Sequence, residues 1–187
     1  MLPTREERLA FAADLQSGIG SSDAPELVGV GWSGPGRVWH QKFCDPEEIA
    51  AIPRDGRLRR GMMLEHLVAD EYVSLMSDRL SPTPRVRHKD RHWQRASPDR
   101  VSDMLGTYVE LKAIDYFDDE WGAMLSDRIP DKYRVQVTHQ MGVLGVDFMH
   151  VCAVAVTSWE TRVFAIRFDS NLFDWITLVE EEFWTKY

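Results

Sequence analysis

Ser97-Pro98-Asp99, followed eleven residues after the aspartate by Glu110-Leu111-Lys112, is the stretch whose reading decides the fold. The second part lies within Thr107-Tyr108-Val109-Glu110-Leu111-Lys112-Ala113, a run rich in strand formers that alternates in polarity. Residues two apart on a strand share a face. Glu110 and Lys112 therefore point one way, and Val109 and Leu111 the other. With Asp99 on a neighbouring strand, two carboxylates and an ammonium make a compact polar cluster. Magnesium takes hard oxygen ligands and keeps several waters, so two carboxylates and a backbone carbonyl suffice to hold it. Lys112 can then orient or help deprotonate a water. The plain alternative is an ion pair on an exposed sheet face, which is common and nearly neutral in energy. Taken alone, these three residues favour the plain alternative slightly.

Glu65 shifts that balance. The longest predicted helix covers 57–77, with Leu58, Met62, Val68, Tyr72 and Leu75 as its apolar stripe. Glu65 stands three residues after Met62 and three before Val68, so it falls inside the stripe. A lone buried carboxylate is costly and is normally paired or bound to metal. A structural partner such as Arg59 or His66 is the alternative.

Further out, the pattern runs helix, strands, helix, strands, helix. Thr4-Arg5-Glu6-Glu7 has capping-box form ahead of a first helix that Gly18 and Gly20 end. Ser21-Ser22-Asp23 precedes Ala24-Pro25-Glu26-Leu27, a second helix start. Gly29 to Gly36 is a glycine-rich loop around Trp32, leading to a short helix near 37–43, and Pro46 starts another. Pro82 and Pro84 stop the long helix. Strands are expected near 85–89, 92–98 and 106–114, then a helix over 131–145. A strand pair at 151–156 and 162–168 follows, and Asp169 or Ser170 caps a C-terminal amphipathic helix. This order predicts one α/β domain over 1–187, a central mixed sheet flanked by helices.

Three polar groups invite functional readings. Gln136, His139 and Gln140 sit on one predicted helix and can hydrogen-bond a reacting group or orient Lys112; an ordinary polar face is the better explanation from sequence. Ser22 beside a helix start can bind an anion, though capping explains it equally well. Arg85, Arg87, Lys89, Arg91 and Arg95, with Trp93 among them, predict a positive rim for a phosphate backbone. A solvated hairpin is only moderately less favoured. His88 and His92 imply no third ligand nearby, so zinc is discounted.

Bulk properties limit the class. The 187 residues are 44% hydrophobic and 28% charged, which suits one globular domain. The net charge of −8 argues against nonspecific nucleic-acid binding. The charge is uneven, however: residues 54–100 hold eleven Lys or Arg against seven Asp or Glu, which leaves −12 for the remainder. An acidic protein can still grip DNA through one basic face. Two cysteines, Cys44 and Cys152, allow neither a disulfide framework nor a four-cysteine metal site, and a reduced, cytoplasmic protein is expected. The N-terminus lacks an apolar signal core, and no apolar run reaches membrane-spanning length.

Five segments in order give a resemblance. They are Ile19-Gly20-Ser21-Ser22-Asp23-Ala24, Gly61-Met62-Met63-Leu64-Glu65, Ala96-Ser97-Pro98-Asp99, Val109-Glu110-Leu111-Lys112, and the stretch from Trp121-Gly122 through Ile129-Pro130-Asp131 to Gln136-Val137-Thr138-His139-Gln140-Met141. Together they resemble the YqaJ-like viral recombinase family, the phage lambda exonuclease group of the PD-(D/E)xK nucleases. The resemblance implies a restriction-endonuclease-like core and magnesium-dependent digestion of duplex DNA ends from the 5′ side, with manganese as a substitute ion. It implies that Asp99 and Glu110 hold the ion with the Leu111 carbonyl, and that Glu65 supports a second ion or its water. Lys112 would activate the nucleophile and Gln136 position groups around it. Ser22 and Ser97 would bind the 5′-phosphate. It further implies phage or prophage origin, a role in recombination beside a single-strand annealing protein, and in some relatives a trimeric ring. Two features depart from the family. Arg100 follows the motif aspartate where relatives usually have glycine, and the acidic segment from Asp115 to Glu120 offers no arginine for a terminal phosphate. The rival expectations are an endonuclease or single-strand trimmer with the same site, and a non-catalytic DNA-binding accessory protein.

Overall fold

A computed structural model describes residues 4–52 and 56–187 of the chain. Its elements are α1 (Arg5–Gln16), β1 (Ile19–Gly20), α2 (Ala24–Leu27), α3 (Pro35–Phe43), α4 (Pro46–Ala51), α5 (Gly56–Met76), β2 (Leu80–Pro82), β3 (Val86–Arg87), β4 (Gln94–Ala96), β5 (Arg100–Ser102), β6 (Tyr108–Ile114), α6 (Asp119–Leu125), α7 (Asp131–Leu144), β7 (Phe148–Ala155), β8 (Thr161–Arg167) and α8 (Ser170–Lys186). There are two sheets where one was expected. A five-stranded sheet runs β2-β5-β6-β7-β8, and a three-stranded one runs β1-β4-β3. The larger is mixed: β6 and β7 are parallel, and the other pairs are antiparallel.

β6 and β7 organise the core. In register, Glu110 lies opposite Val151, Leu111 opposite Cys152 and Lys112 opposite Ala153. Strand alternation sends Val109, Leu111, Cys152 and Val154 to one face, where they bury Val68, Ala69 and Tyr72 of α5. On the opposite face Met149 and Val151 meet Val137 and Met141 of α7, while Ile114, Ala153 and Ala155 meet Trp121, Met124 and Tyr133. A helix on each face buries this sheet on both sides, which is why β7 reads as a nearly continuous apolar run. Behind α7 lies α8, and Gly142 lets the two approach: a Cβ there would come within 2.2 Å of the Phe173 ring.

Helix ends follow the sequence closely. Thr4 forms the expected capping box with Glu7, and Asp169 caps α8 by accepting from the Leu172 amide at 3.0 Å. Other expectations need correcting. Met62 and Leu75 are exposed, because only the 68-69-72 side of α5 meets the sheet; the Leu58 side chain lies outside the described residues. α1 ends at Gln16, and the Ile19-Gly20 pair continues as β1, parallel to β4. β2, β5 and α6 were not expected. Among the described residues no helix is long and apolar enough to cross a membrane.

Candidate active site

Strand β6 delivers Glu110 and Lys112 to the face covered by α7, and α7 answers with Gln136 and Gln140, one turn apart on the facing side. Lys112 Nζ donates to Glu110 Oε1 at 2.7 Å and to Gln136 Oε1 at 3.0 Å. Gln136 Nε2 donates to the same Glu110 oxygen, and Gln140 Nε2 donates to Glu110 Oε2 at 2.7 Å. Glu110 is only 4% exposed, and these donors satisfy both of its oxygens. The Lys112 ammonium also stands 5.1 Å from the centre of the Tyr133 ring.

Asp99 lies at the entrance to β5, beside β6, and its Oδ2 accepts from the Leu111 amide at 2.7 Å. Burial pushes its carboxyl up to about 8, with the Glu110 charge adding to the rise and Lys112 opposing it. Glu65 also raises it, so α5 brings its carboxylate into the same electrostatic neighbourhood. Glu65 is half-buried rather than sealed in the core, and its partner is neither Arg59 nor His66. Arg100 Nη1 lies 2.7 Å from Glu65 Oε1 and also donates to the Asp99 carbonyl at 2.6 Å.

These groups line one cleft of about 450 Å³, which contains Ser22, Glu65, Asp99, Glu110, Leu111, Lys112 and Gln136. The three carboxylates face this common space but do not close to within 4.8 Å as one ligand set; each is held by a different donor. The donor chemistry fits a hard divalent cation: carboxylate oxygens from Asp99 and Glu110, a backbone carbonyl at Leu111, and no thiolate or imidazole.

Other expected site residues lie elsewhere. Ser97 is exposed and does not line the cleft. Lys89 is exposed outside it as well. Arg95 is 5% exposed and cannot form a rim, because β4 is the central strand of its sheet. Arg85 pairs with Asp14; Arg95 reaches Asp14 at 3.1 Å and Ser17 Oγ at 2.6 Å; Arg87 reaches the Ser17 carbonyl at 2.9 Å. All three converge on the C-terminal end of α1, which has no basic residue in its own last turn. That end carries unsatisfied carbonyls and partial negative charge, so the arginines serve the fold there. Arg91 is likewise bonded to Gln94 at 2.9 Å and lies over Phe173. His139 faces away from the cleft, towards Glu180 of α8.

Gln140, read from the sequence with Gln136 on one helix face, reaches Glu110 from behind the cleft. Glu26 is a cleft residue that the sequence did not single out for a site. The glycine-rich loop wraps Glu26, whose carboxylate accepts from the amides of Trp32, Ser33 and Gly34. A Cβ at Gly31 would come within 2.4 Å of that carboxylate, so glycine is needed for the wrap. The acidic segment is partly neutralised in place: Lys132 and Tyr133 bind Glu120, and Arg60 lies 3.6 Å from Asp115.

The architecture defines the class, a restriction-endonuclease-like α/β fold. Its solved neighbours include an alkaline exonuclease, LHK-Exo, from Laribacter hongkongensis, with a TM-score of 0.74 and 14% identity over 95% of this chain and 91% of that one. A second structure, of LHK-Exo in complex with dAMP, gives 0.76 and 15% over 98% and 92%. A phage related exonuclease from Haemophilus somnus 129PT gives 0.60 and 12% over 92% and 96%. The model of the YqaJ-like viral recombinase domain matches residues 10–147, and the chain belongs to that family. A relative in Bacillus subtilis (strain 168), the uncharacterized protein YqaJ, is 28% identical over 178 residues. That alignment takes in 90% of this chain and 53% of the relative, so the chain spans about half the length of the curated relative it matches.

Proposed function

We propose that this chain is a metal-dependent deoxyribonuclease that removes nucleotides from the ends of duplex DNA, working 5′ to 3′ with magnesium. The observation that carries the reading is the Lys112 ammonium, fixed by Glu110 and Gln136 in the cleft that also holds Asp99 and Glu65. Asp99, Glu110 and the Leu111 carbonyl would hold the ion, with Glu65 in support. A divalent cation there supplies Lewis-acid polarisation of a phosphoryl oxygen and a more acidic water.

The chain's own groups do the rest. Lys112 has three donors and spends two on Glu110 and Gln136, which leaves one N–H for a water or a phosphoryl oxygen. Gln136 bridges Lys112 and Glu110 and so fixes the angle between them. Gln140 anchors the far oxygen of Glu110 and prevents its rotation. Ser22 lines the cleft wall, which supports a role in hydrogen-bonding a terminal phosphate. Ser97 lies outside the cleft and Arg95 is buried, so of the expected phosphate and DNA contacts Ser22 and the exposed Arg85, Arg87 and Lys89 are kept.

The family and the exonuclease neighbours favour an end-directed activity over an endonuclease. Under this reading the products are 5′-mononucleotides and a 3′ single-stranded tail, which a single-strand annealing protein would take up. A homo-oligomeric ring around the duplex and action in the cytoplasm of a bacterial host belong to the same reading. The test is a time course on end-labelled linear duplexes, with 5′-phosphate against 5′-hydroxyl ends, in magnesium and in chelator. Mononucleotide release from linear DNA in magnesium alone, with closed circles left intact, is expected. Nicking of closed circles would move the reading to an endonuclease. Binding to ends without hydrolysis in magnesium or manganese would move it to an accessory protein.

A further inference from the structure

We propose that His40, Cys44 and Glu48 form a zinc site at the corner between α3 and α4, separate from the cleft. One ring nitrogen, one Sγ and one carboxylate oxygen from these residues all lie within 4.8 Å of one another. Ligand atoms around a tetrahedral zinc, at bonds of about 2.0–2.3 Å, stand roughly 3.3–3.8 Å apart. Side-chain rotation alone can close the remaining difference.

The backbone presents the three ligands together. His40 lies in the last turn of α3, and Cys44 follows four residues on, just past the end of that helix. Cys44 caps that helix in an extended conformation, with its amide bonded to the His40 carbonyl at 3.2 Å. Asp45 then caps α4 by accepting from the Glu47 amide at 2.7 Å, and this tight reversal places Glu48 in the first turn of α4. From α1, Gln16 Nε2 holds the Cys44 carbonyl at 2.7 Å. The ligand-bearing segment is thus fixed before any ion arrives, which lowers the ordering cost of binding. Among the described residues none of the three side chains is engaged in a hydrogen bond or ion pair, so an ion displaces no protein contact. His40 and Cys44 are half-buried and Glu48 is exposed, which leaves the fourth tetrahedral position to water.

The chemistry selects the ion. Thiolate, imidazole and carboxylate make a borderline-soft set that suits zinc, whereas magnesium prefers the all-oxygen cleft. Binding expels the thiol proton to solvent and forms a Zn–S bond; with thiolate and carboxylate each contributing one negative charge, the centre is neutral. The consequence is local. α3 follows the loop whose Gly31, Trp32 and Ser33 line the cleft, and its Arg37 lines it too. An ion at the far end of α3 would clamp the helix that frames that wall.

Cobalt(II) is the probe, because a thiolate ligand gives it a charge-transfer absorption that oxygen ligands do not. The full chain is titrated in excess magnesium, which occupies the cleft. One equivalent of cobalt with thiolate absorption, one proton released per ion, and displacement by zinc are expected. Cys44→Ser should abolish the absorption, while Asp99→Asn should retain it. His40→Ala and Glu48→Ala should each weaken binding about tenfold or more. These two variants decide the matter if Cys44→Ser fails to fold. No thiolate absorption, absorption that survives in Cys44→Ser, or unaltered affinity in both alanine variants would overturn the site.

Discussion

Arg100 holds Glu65 at 2.7 Å and, with the same nitrogen, donates to the Asp99 carbonyl at 2.6 Å. One guanidinium thus joins α5 to the entrance of β5 and neutralises a carboxylate that faces the cleft. A cation held there as proposed would compete with it for Glu65.

The first prediction comes from that competition. The two side chains are 26% and 33% exposed, so the pair is worth no more than about 1 kcal/mol. Arg100→Ala should therefore lower the magnesium concentration for half-maximal activity by a factor of up to about five. Arg100→Gly should do the same with some loss of strand stability. A magnesium titration of nuclease rate decides it. A raised magnesium requirement would mean that Arg100 supports the ion site rather than competing with it.

The second concerns Lys112 and Asp99. Removing a positioned acid–base group typically costs a factor of about 10² to 10⁴. Lys112→Ala and Asp99→Ala should each lose at least that much magnesium-dependent activity while far-UV circular dichroism is unchanged. Lys112→Arg should not rescue, because a planar fork cannot reproduce the paired bonds to Glu110 and Gln136. Full activity in either alanine variant would reject the catalytic assignment.

How much of this was legible is uneven, for physical reasons. Glu110 and Lys112 could be placed on one face because a strand's period of two is rigid. Thr4 and Asp169 could be read as caps because capping is local chemistry. Glu65 could be flagged but not partnered, since Arg100 is remote in sequence and arrives only when β5 docks against β6. The arginines of β3 and β4 misled for a related reason. Alternating basic residues look like a rim, but β4 is enclosed on both edges and buries Arg95, while Arg85 and Arg87 stay exposed and are engaged at the end of α1. Strands β1, β2 and β5 have only two or three residues each, too few to show a period at all.

Gln140 gives a third prediction. It acts through Glu110, so its role is positioning. Outer partners of this kind are typically worth about 10–100-fold in metal affinity or activity. Gln140→Leu should lower activity in that range and raise the magnesium requirement, because Glu110 loses its only bond to Oε2 among the described residues. Gln140→Glu should be worse, since it places a like charge against Glu110. If Gln140→Leu changes stability alone, with the magnesium titration unmoved, the positioning role is wrong.

The fourth prediction follows from Asp99, whose carboxyl burial and the Glu110 charge push up to about 8 from an ordinary 3.8. Between those values the folded chain keeps a proton that the unfolded chain releases. Stability in the absence of divalent ions therefore falls as pH rises from about 4 to about 8. A cation needs the ionised carboxylate, so its affinity rises across the upper part of the same window. Melting temperatures measured in chelator should decline with pH, and the increase on adding magnesium should be larger above about pH 8 than near pH 6. Asp99→Asn should flatten both trends. A magnesium effect that is independent of pH in the unaltered chain would contradict the assignment.

A final prediction lies away from the cleft, where α7, α8 and β4 meet. Glu180 is fully buried; its Oε1 bonds His139 Nδ1 at 2.7 Å, its Oε2 accepts from Gln94 Nε2 at 2.7 Å, and His139 Nε2 bonds the Arg95 carbonyl at 3.0 Å. Burial disfavours a charged imidazole, but the Glu180 charge and these bonds outweigh it and hold the His139 pKa above its ordinary value. The raised value means that this stabilisation is complete below about pH 6.5 and is lost as pH rises through the folded pKa. Breaking such a pair strands a buried partner and costs about 3–5 kcal/mol, whereas replacing both members with apolar residues is often nearly neutral. Glu180→Ala should therefore lower urea stability by that amount, and the double variant Glu180→Leu with His139→Leu should recover much of it. The double change leaves two polar groups behind: Gln94 loses its carboxylate acceptor but keeps Thr177 Oγ1 at 3.2 Å, and the Arg95 carbonyl loses its bond from His139. Equal losses in the single and double variants would show that the stranded Gln94 and Arg95 carbonyl, not the His139–Glu180 pair, set the cost.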